Sequence, residues 1–292
     1  MDAHCAVETW RTDGWVLCDG LVDRETIDAA AADLAAVFPT AEQYHADPEG
    51  ERRRWLGTPP PSREPFVWPP GGPGFRPEQH AWSRGFPFPG TGALNRLVVH
   101  PAIVAFVERA LGPDVVLYQA QLTAKYTGFT NYEQPMHTDR NHSWLPARTK
   151  APWDHVEGFL YLSDVTLPSA PTHLVAVRDA RGRDPNEPLV MPDRDADLYA
   201  CERPAAGPRG SLLAYRNDVF HRAVDLTEPG GARFLLNVSY KAAGRDWIGY
   251  HAWQSDANSF EWVAFVESCT PRELALLGFP PPGHPVWDVT SR

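Results

Sequence analysis

Apolar positions recur along the chain with two different periods, and the change of period divides it. Residues 14–22, GWVLCDGLV, form a short apolar run that reads as a strand or an extended lead-in. Asp23 then suits a helix N-cap, and Ile27, Ala30, Ala31, Leu34 and Phe38 follow at helical spacing as far as Pro39. A second helix is expected to open at Pro101, a residue tolerated in a first turn, and to run through Ile103, Val104, Val107 and Leu111 to a stop at Gly112. Beyond Gly112 the pattern becomes that of short strands. Residues 115–126, 156–162, 172–177, 211–215 and 233–240 are strand-like and separated by turn-rich segments. One more helix is predicted over 271–277, ahead of a Pro-rich tail. Short strands after a helical lead-in predict a mainly β protein, a sandwich or barrel with helices packed on one side.

Composition adds two features to this outline. Pro 30 is well above the usual share of about 5%, and Trp 11 is high, so loops and aromatic mass dominate where periodicity is weak. Residues 58–90 concentrate both. Phe66, Trp68, Phe75, Trp82, Phe86 and Phe88 are costly to leave in water, so an ordered covering loop is expected there. The whole of 1–292 then reads as one domain. Residues 1–112 form a mostly helical flank with the covering loop, 113–245 the β core, and 246–292 a C-terminal helix and tail.

The net charge of −10 argues against a phosphate-tracking nucleic-acid binder. No run approaches the roughly 18 apolar residues of a membrane span, and the N-terminal residues do not read as a secretory signal. Cys5, Cys18, Cys201 and Cys269 are scattered without CxxC spacing, which suits a reducing cytoplasm. The expected partner is a small molecule; oligomeric state is not legible.

Candidate chemistry lies in the β region. In an extended segment, residues i and i+2 share a face, so His137 and Asp139 can present an imidazole and a carboxylate to one metal. His155 and Glu157 have the same spacing, and such pairs are common enough that neither assigns a site alone. His221 follows a strand and a turn at Asn217-Asp218. A hairpin-like turn at Pro229-Gly230-Gly231 leads into the strand beginning at Arg233, which would place His221 and Arg233 on neighbouring strands. Two histidines and a carboxylate leave open positions on an octahedral metal, the facial triad suited to non-haem Fe(II). An Arg nearby is what a dicarboxylate co-substrate needs, because a guanidinium fork grips a carboxylate through two bonds.

HTD at 137–139, FLYLSDVTLPSAPTH at 159–173, GSLLAYRNDVFHRAV at 210–224 and ARFLLNVSY at 232–240 together resemble the phytanoyl-CoA dioxygenase family of Fe(II)/2-oxoglutarate-dependent oxygenases. The resemblance covers about residues 10–40 and 95–240. It implies a double-stranded β-helix, a jelly-roll or cupin-like core with flanking helices. It also implies His137, Asp139 and His221 as iron ligands and Arg233 as partner of the 2-oxoglutarate C5 carboxylate. Gln121 and Thr123, on a face shared with Gln119 and Lys125, would be further co-substrate contacts. Asn141 and Trp144 would stand at the pocket mouth as substrate contacts. His173 falls in a strand resembling one that lines the family's pocket.

The chain departs from the family at Ala223, where relatives often carry Ser or Thr. Asp139 is informative in its own right, because related halogenases replace that carboxylate with a small residue. The implied activity is therefore hydroxylation, or another oxidation, of an unactivated C–H bond of a small metabolite. O2 and 2-oxoglutarate would be consumed, and succinate and CO2 released. A natural-product intermediate is the favoured substrate. Three other readings stay open: a CoA-thioester hydroxylase, for which Arg52-Arg53-Arg54 could greet phosphate; a metal-binding barrel without turnover serving as sensor or scaffold; and a hydrolytic or isomerising cupin-like metalloenzyme using Zn or Mn at the same ligands.

Overall fold

The computed structural model describes residues 3–56, 82–128, 133–139, 155–180, 182–184, 190–243 and 260–279. Most of the covering loop, Asn141, Trp144 and the C-terminal tail lie outside them. Helix α1 (Ala3–Asp13) leads through Gly14 into β1 (Trp15–Cys18), and α2 (Arg24–Asp33) follows. Asp23 caps α2 by accepting from the Thr26 amide at 2.9 Å. Two short helices, α3 (Ala41–Ala46) and α4 (Pro48–Leu56), precede β2 (Ser83–Gly85) and α5 (Ala93–Leu97). Helix α6 (Pro101–Leu111) carries Pro in its first turn and ends where Gly112 takes a φ of 107°. Ile103, Val104, Phe106, Val107 and Ala110 make its buried stripe.

The β region holds β3 (Val115–Tyr126), β4 (His155–Tyr161), β5 (His173–Leu174), β6 (Arg203–Pro204), β7 (Leu212–Tyr215), β8 (His221–Arg222) and β9 (Ala232–Ala242). Helix α7 (Ala196–Tyr199) lies between β5 and β6, and α8 (Phe260–Ser268) and α9 (Pro271–Leu276) close the described chain. One antiparallel sheet has the order β1-β7-β4-β9-β3-β2 and a smaller one the order β6-β5-β8. Bridges His137↔His221, Met136↔Val190 and Val165↔Gly207 extend the smaller sheet. The two sheets form a jelly-roll with helices packed on the outer face of the larger one. There Ala120, Leu122, Leu160, Leu236 and Val238 join the stripe of α6 in the main core.

Three expectations change. His221 and Arg233 are not on neighbouring strands: β8 pairs with β5, whereas β9 pairs with β3 and β4. The chain crosses from one sheet to the other between them, so the two residues line the intervening space from opposite walls. Residues 82–90 are core and edge strand, not cover. There β2 pairs with β3, and Trp82, Phe86 and Phe88 are buried, Phe86 with its ring edge on Phe265. Finally, the flank expected to be mostly helical adds an unexpected strand, β2, which together with β1, the strand offered at 14–22, forms the two edges of the large sheet. Among the described residues no helix is long and apolar enough to cross a membrane.

Candidate metal centre

Alternation along β3 turns Ala120 and Leu122 toward the helices and Gln119, Gln121, Thr123 and Lys125 toward the space between the sheets. On β9, Arg233, Leu235 and Asn237 face the same way, and Glu157, Phe159 and Tyr215 continue the wall across β4 and β7. His137, Asp139, Thr172, His221 and Ala223 close the space from the smaller sheet. The resulting cavity is about 200 Å³.

His137, Asp139 and His221 come together at this cavity, with one ligand atom from each within 4.8 Å of the others. The two histidines are locked by backbone first. The His137 amide donates to the His221 carbonyl at 3.0 Å, and the His221 amide returns the bond to His137 at 2.9 Å. Their ring centroids are 4.5 Å apart. Each ring is then oriented by the carbonyl two residues earlier: His137 Nδ1 donates to Pro135 O at 2.9 Å, His221 Nδ1 to Val219 O at 3.1 Å. A carbonyl can only accept, so Nδ1 carries the proton in both rings and Nε2 offers its lone pair. Asp139 Oδ2 lies 3.5 Å from His221 Nε2 and accepts from the Tyr215 hydroxyl at 2.9 Å. Two imidazoles and one carboxylate converging from one wall fit an octahedral divalent metal with open positions toward the cavity.

Toward one end of the cavity the wall is cationic. Arg233 is buried and Nη1 donates to the Ala170 carbonyl; Lys125, also buried, donates from Nζ to the Val224 carbonyl. Gln134 sits beside Ala223, its Oε1 accepting from the Ala223 amide at 3.1 Å. Further along the same wall is a carboxylate: Glu157 is 1% exposed and accepts from Tyr118 Oη and Ser239 Oγ. Burial, together with the Asp139 and Glu157 charges, holds the Tyr215 hydroxyl well above its ordinary pKa, so it stays a donor. Burial and Glu157 do the same for Tyr118.

The remaining sequence candidates sit elsewhere. His155 is buried 3.3 Å from Glu157 and does not line the cavity. His173 pairs with Glu202 at 3.0 Å on the smaller sheet. Arg53 and Arg54 pair with Glu49 and Glu51 along exposed α4, an ordinary solvated helix face. Tyr215, Gln134 and the placement of Lys125 beside Arg233 escaped the sequence reading. Strand alternation hinted at Lys125, whereas nothing local marked Tyr215 as a partner of Asp139.

The fold is that of a jelly-roll whose inner wall carries a His-Asp-His cluster. Solved structures with the same fold include the epimerase SnoN in complex with Fe3+, alpha ketoglutarate and nogalamycin RO. It is 16% identical with a TM-score of 0.54, the match covering 82% of this chain and 84% of that one. The non-heme alpha ketoglutarate dependent carbocyclase SnoK from nogalamycin biosynthesis is 18% identical with a TM-score of 0.53, over 82% and 83% of the two chains. The non-heme monooxygenase ThoJ, as its Ni complex, is 16% identical with a TM-score of 0.52, over 81% and 77%. No family model matches the chain, and no curated protein matches it significantly.

Proposed function

We propose that this chain is an Fe(II)- and 2-oxoglutarate-dependent oxygenase, one domain over 1–292, that oxidises a C–H bond of a small natural-product intermediate. One observation carries the reading: a His-Asp-His cluster and a buried Arg-Lys pair share a single cavity. Structures of the same fold support it, since they include enzymes described as alpha ketoglutarate dependent.

Iron and 2-oxoglutarate, when bound, supply the oxidising power, as O2 is reduced and 2-oxoglutarate is cleaved to succinate and CO2. His137, Asp139 and His221 hold the metal from one side. Arg233 offers its guanidinium fork to the far carboxylate, and Lys125 adds a second positive charge where Ala223 provides no hydroxyl. Gln121 and Thr123 hydrogen-bond along the co-substrate, while Phe159 and Leu235 keep water from its chain. Asp139 occupies the ligand position with a carboxylate, which favours oxygenation over halogenation. From their place after the HTD segment, Asn141 and Trp144 are assigned to the substrate.

Anaerobic titration with Fe(II) and 2-oxoglutarate tests the proposal. A weak visible charge-transfer band should require both additions, vanish in His137→Ala and need far more 2-oxoglutarate in Arg233→Ala. Absence of both band and iron binding in the wild-type protein would sink it.

A further inference from the structure

Tyr215 touches two of the three residues of the metal centre. Its hydroxyl donates to Asp139 Oδ2 at 2.9 Å, and its ring lies 4.7 Å from that of His221 and 5.8 Å from that of Phe159. The side chain is 2% exposed, so its hydroxyl needs an acceptor within the protein. Two carboxylates are in range of its charge, Asp139 and Glu157, and Glu157 is its direct cross-strand partner on β4. Both Glu157 oxygens already accept from other hydroxyls, Oε1 from Tyr118 and Oε2 from Ser239. The Tyr215 hydroxyl is bonded to Asp139 and not to Glu157. The histidines are tied by their mutual backbone bridge, whereas Asp139 lies two residues beyond it.

We infer that Tyr215 is a positioning residue for the metal centre, its hydroxyl fixing the Asp139 carboxylate in the orientation that faces His137 and His221. The inference rests on the metal-centre reading above. A buried ring packed against His221 and Phe159 has little freedom, so the hydroxyl acts as a fixed point, and the carboxylate turns to meet it. Outer hydrogen bonds of this kind orient metal ligands, and their loss typically costs about 10–100-fold in metal affinity. Phe at this position would keep the ring packing and remove only the donor.

The test uses Co(II), whose visible bands report coordination geometry, titrated into the full-length protein by calorimetry and absorption. Tyr215→Phe should weaken Co(II) binding about 10–100-fold and alter the visible spectrum. Tyr161→Phe is the control. It removes another buried tyrosine hydroxyl, bonded at 2.6 Å to the Ala205 carbonyl, and should leave both readouts at wild-type values. If Tyr215→Phe binds Co(II) like the wild type with an unchanged spectrum, or if Tyr161→Phe loses as much, the positioning role is overturned. If the wild-type protein itself binds no Co(II), the metal-centre reading falls with it.

Discussion

Lys125 and Arg233 are direct cross-strand partners on β3 and β9, both side chains buried in the wall of the same cavity. Like charges placed opposite one another repel. Carbonyls of Val224 and Ala170 take up part of their hydrogen-bonding capacity but none of their net charge. On the proposed function, one carboxylate of 2-oxoglutarate lies between them, and the two cations should contribute unequally to its binding. Arg233→Ala should raise the 2-oxoglutarate Kd about 100-fold, in the range found when one partner of a buried charge pair is truncated. Lys125→Met, lacking only a point charge, should raise it about tenfold. Titration of the charge-transfer band reads both. Equal, small effects would place the dicarboxylate elsewhere.

Ala223 lines the cavity with these two cations. A hydroxyl added there would be carried on a residue of the same cavity wall. Ala223→Ser is expected to tighten 2-oxoglutarate binding by about 0.5–1.5 kcal/mol, the net worth of one hydrogen bond. The measurement is the same titration. Unchanged binding would mean that the co-substrate does not reach Ala223.

Acid should loosen the smaller sheet through Glu202. Burial alone would raise its pKa, but hydrogen bonds from Arg222 and His173 outweigh burial and hold it at about 2, against an ordinary 4.5. A depressed carboxyl pKa stabilises the fold above the unfolded value, and that stability is lost as pH falls from about 4.5 toward about 2. Glu202→Gln should therefore cost about 1–3 kcal/mol near neutrality, solvent screening of this partly exposed pair taking up part of the full shift. The deficit should shrink to nothing near the acid end of that window in denaturant melts run as a pH series. A pH-independent deficit would show that lost packing, and not ionisation, is responsible.

Gly210 has a φ of +85°, and a Cβ there would sit 2.5 Å from the Val22 carbonyl oxygen. Its own amide and carbonyl bond to Tyr161 O at 2.8 Å and Val22 N at 3.0 Å, holding the lead-in against the sheet. Gly210→Ala should destabilise by roughly 2–4 kcal/mol, combining backbone strain with a backbone clash. Chemical denaturation reads this, and the surviving folded protein should still bind metal with unchanged stoichiometry.

Local signals were legible in the sequence where the physics is local. β3 runs over the predicted 115–126, Asp23 caps α2 and Pro101 opens α6 because caps and alternation are short-range properties. α1 escaped notice because its buried Ala6, Val7 and Trp10 make too brief a stripe. The strand expected over 172–177 is only His173–Leu174, and by Val177 the chain has turned to a loop contact with Asp13. The two His-x-acid pairs look alike in sequence. What separates them is the position of their strands. His155 and Glu157 sit inside the six-stranded sheet with neighbours on both sides, while His137 bridges to His221, 84 positions further along the chain. Contacts at that separation, like Tyr215 with Asp139, depend on topology and leave no trace in spacing.

The reciprocal backbone bonds between His137 and His221, with each imidazole pinned by its own carbonyl, set two of the three side chains of the candidate metal centre from the polypeptide alone. On the proposed reading, folding is expected not to wait for an ion, in contrast to small domains whose ligands gather only around their metal. A chelator should strip such a centre and leave a folded protein that accepts a different divalent ion on return. Its metal content in a cell would follow the supply of free ions at the moment of sampling, with no memory of which ion was present when the chain was made.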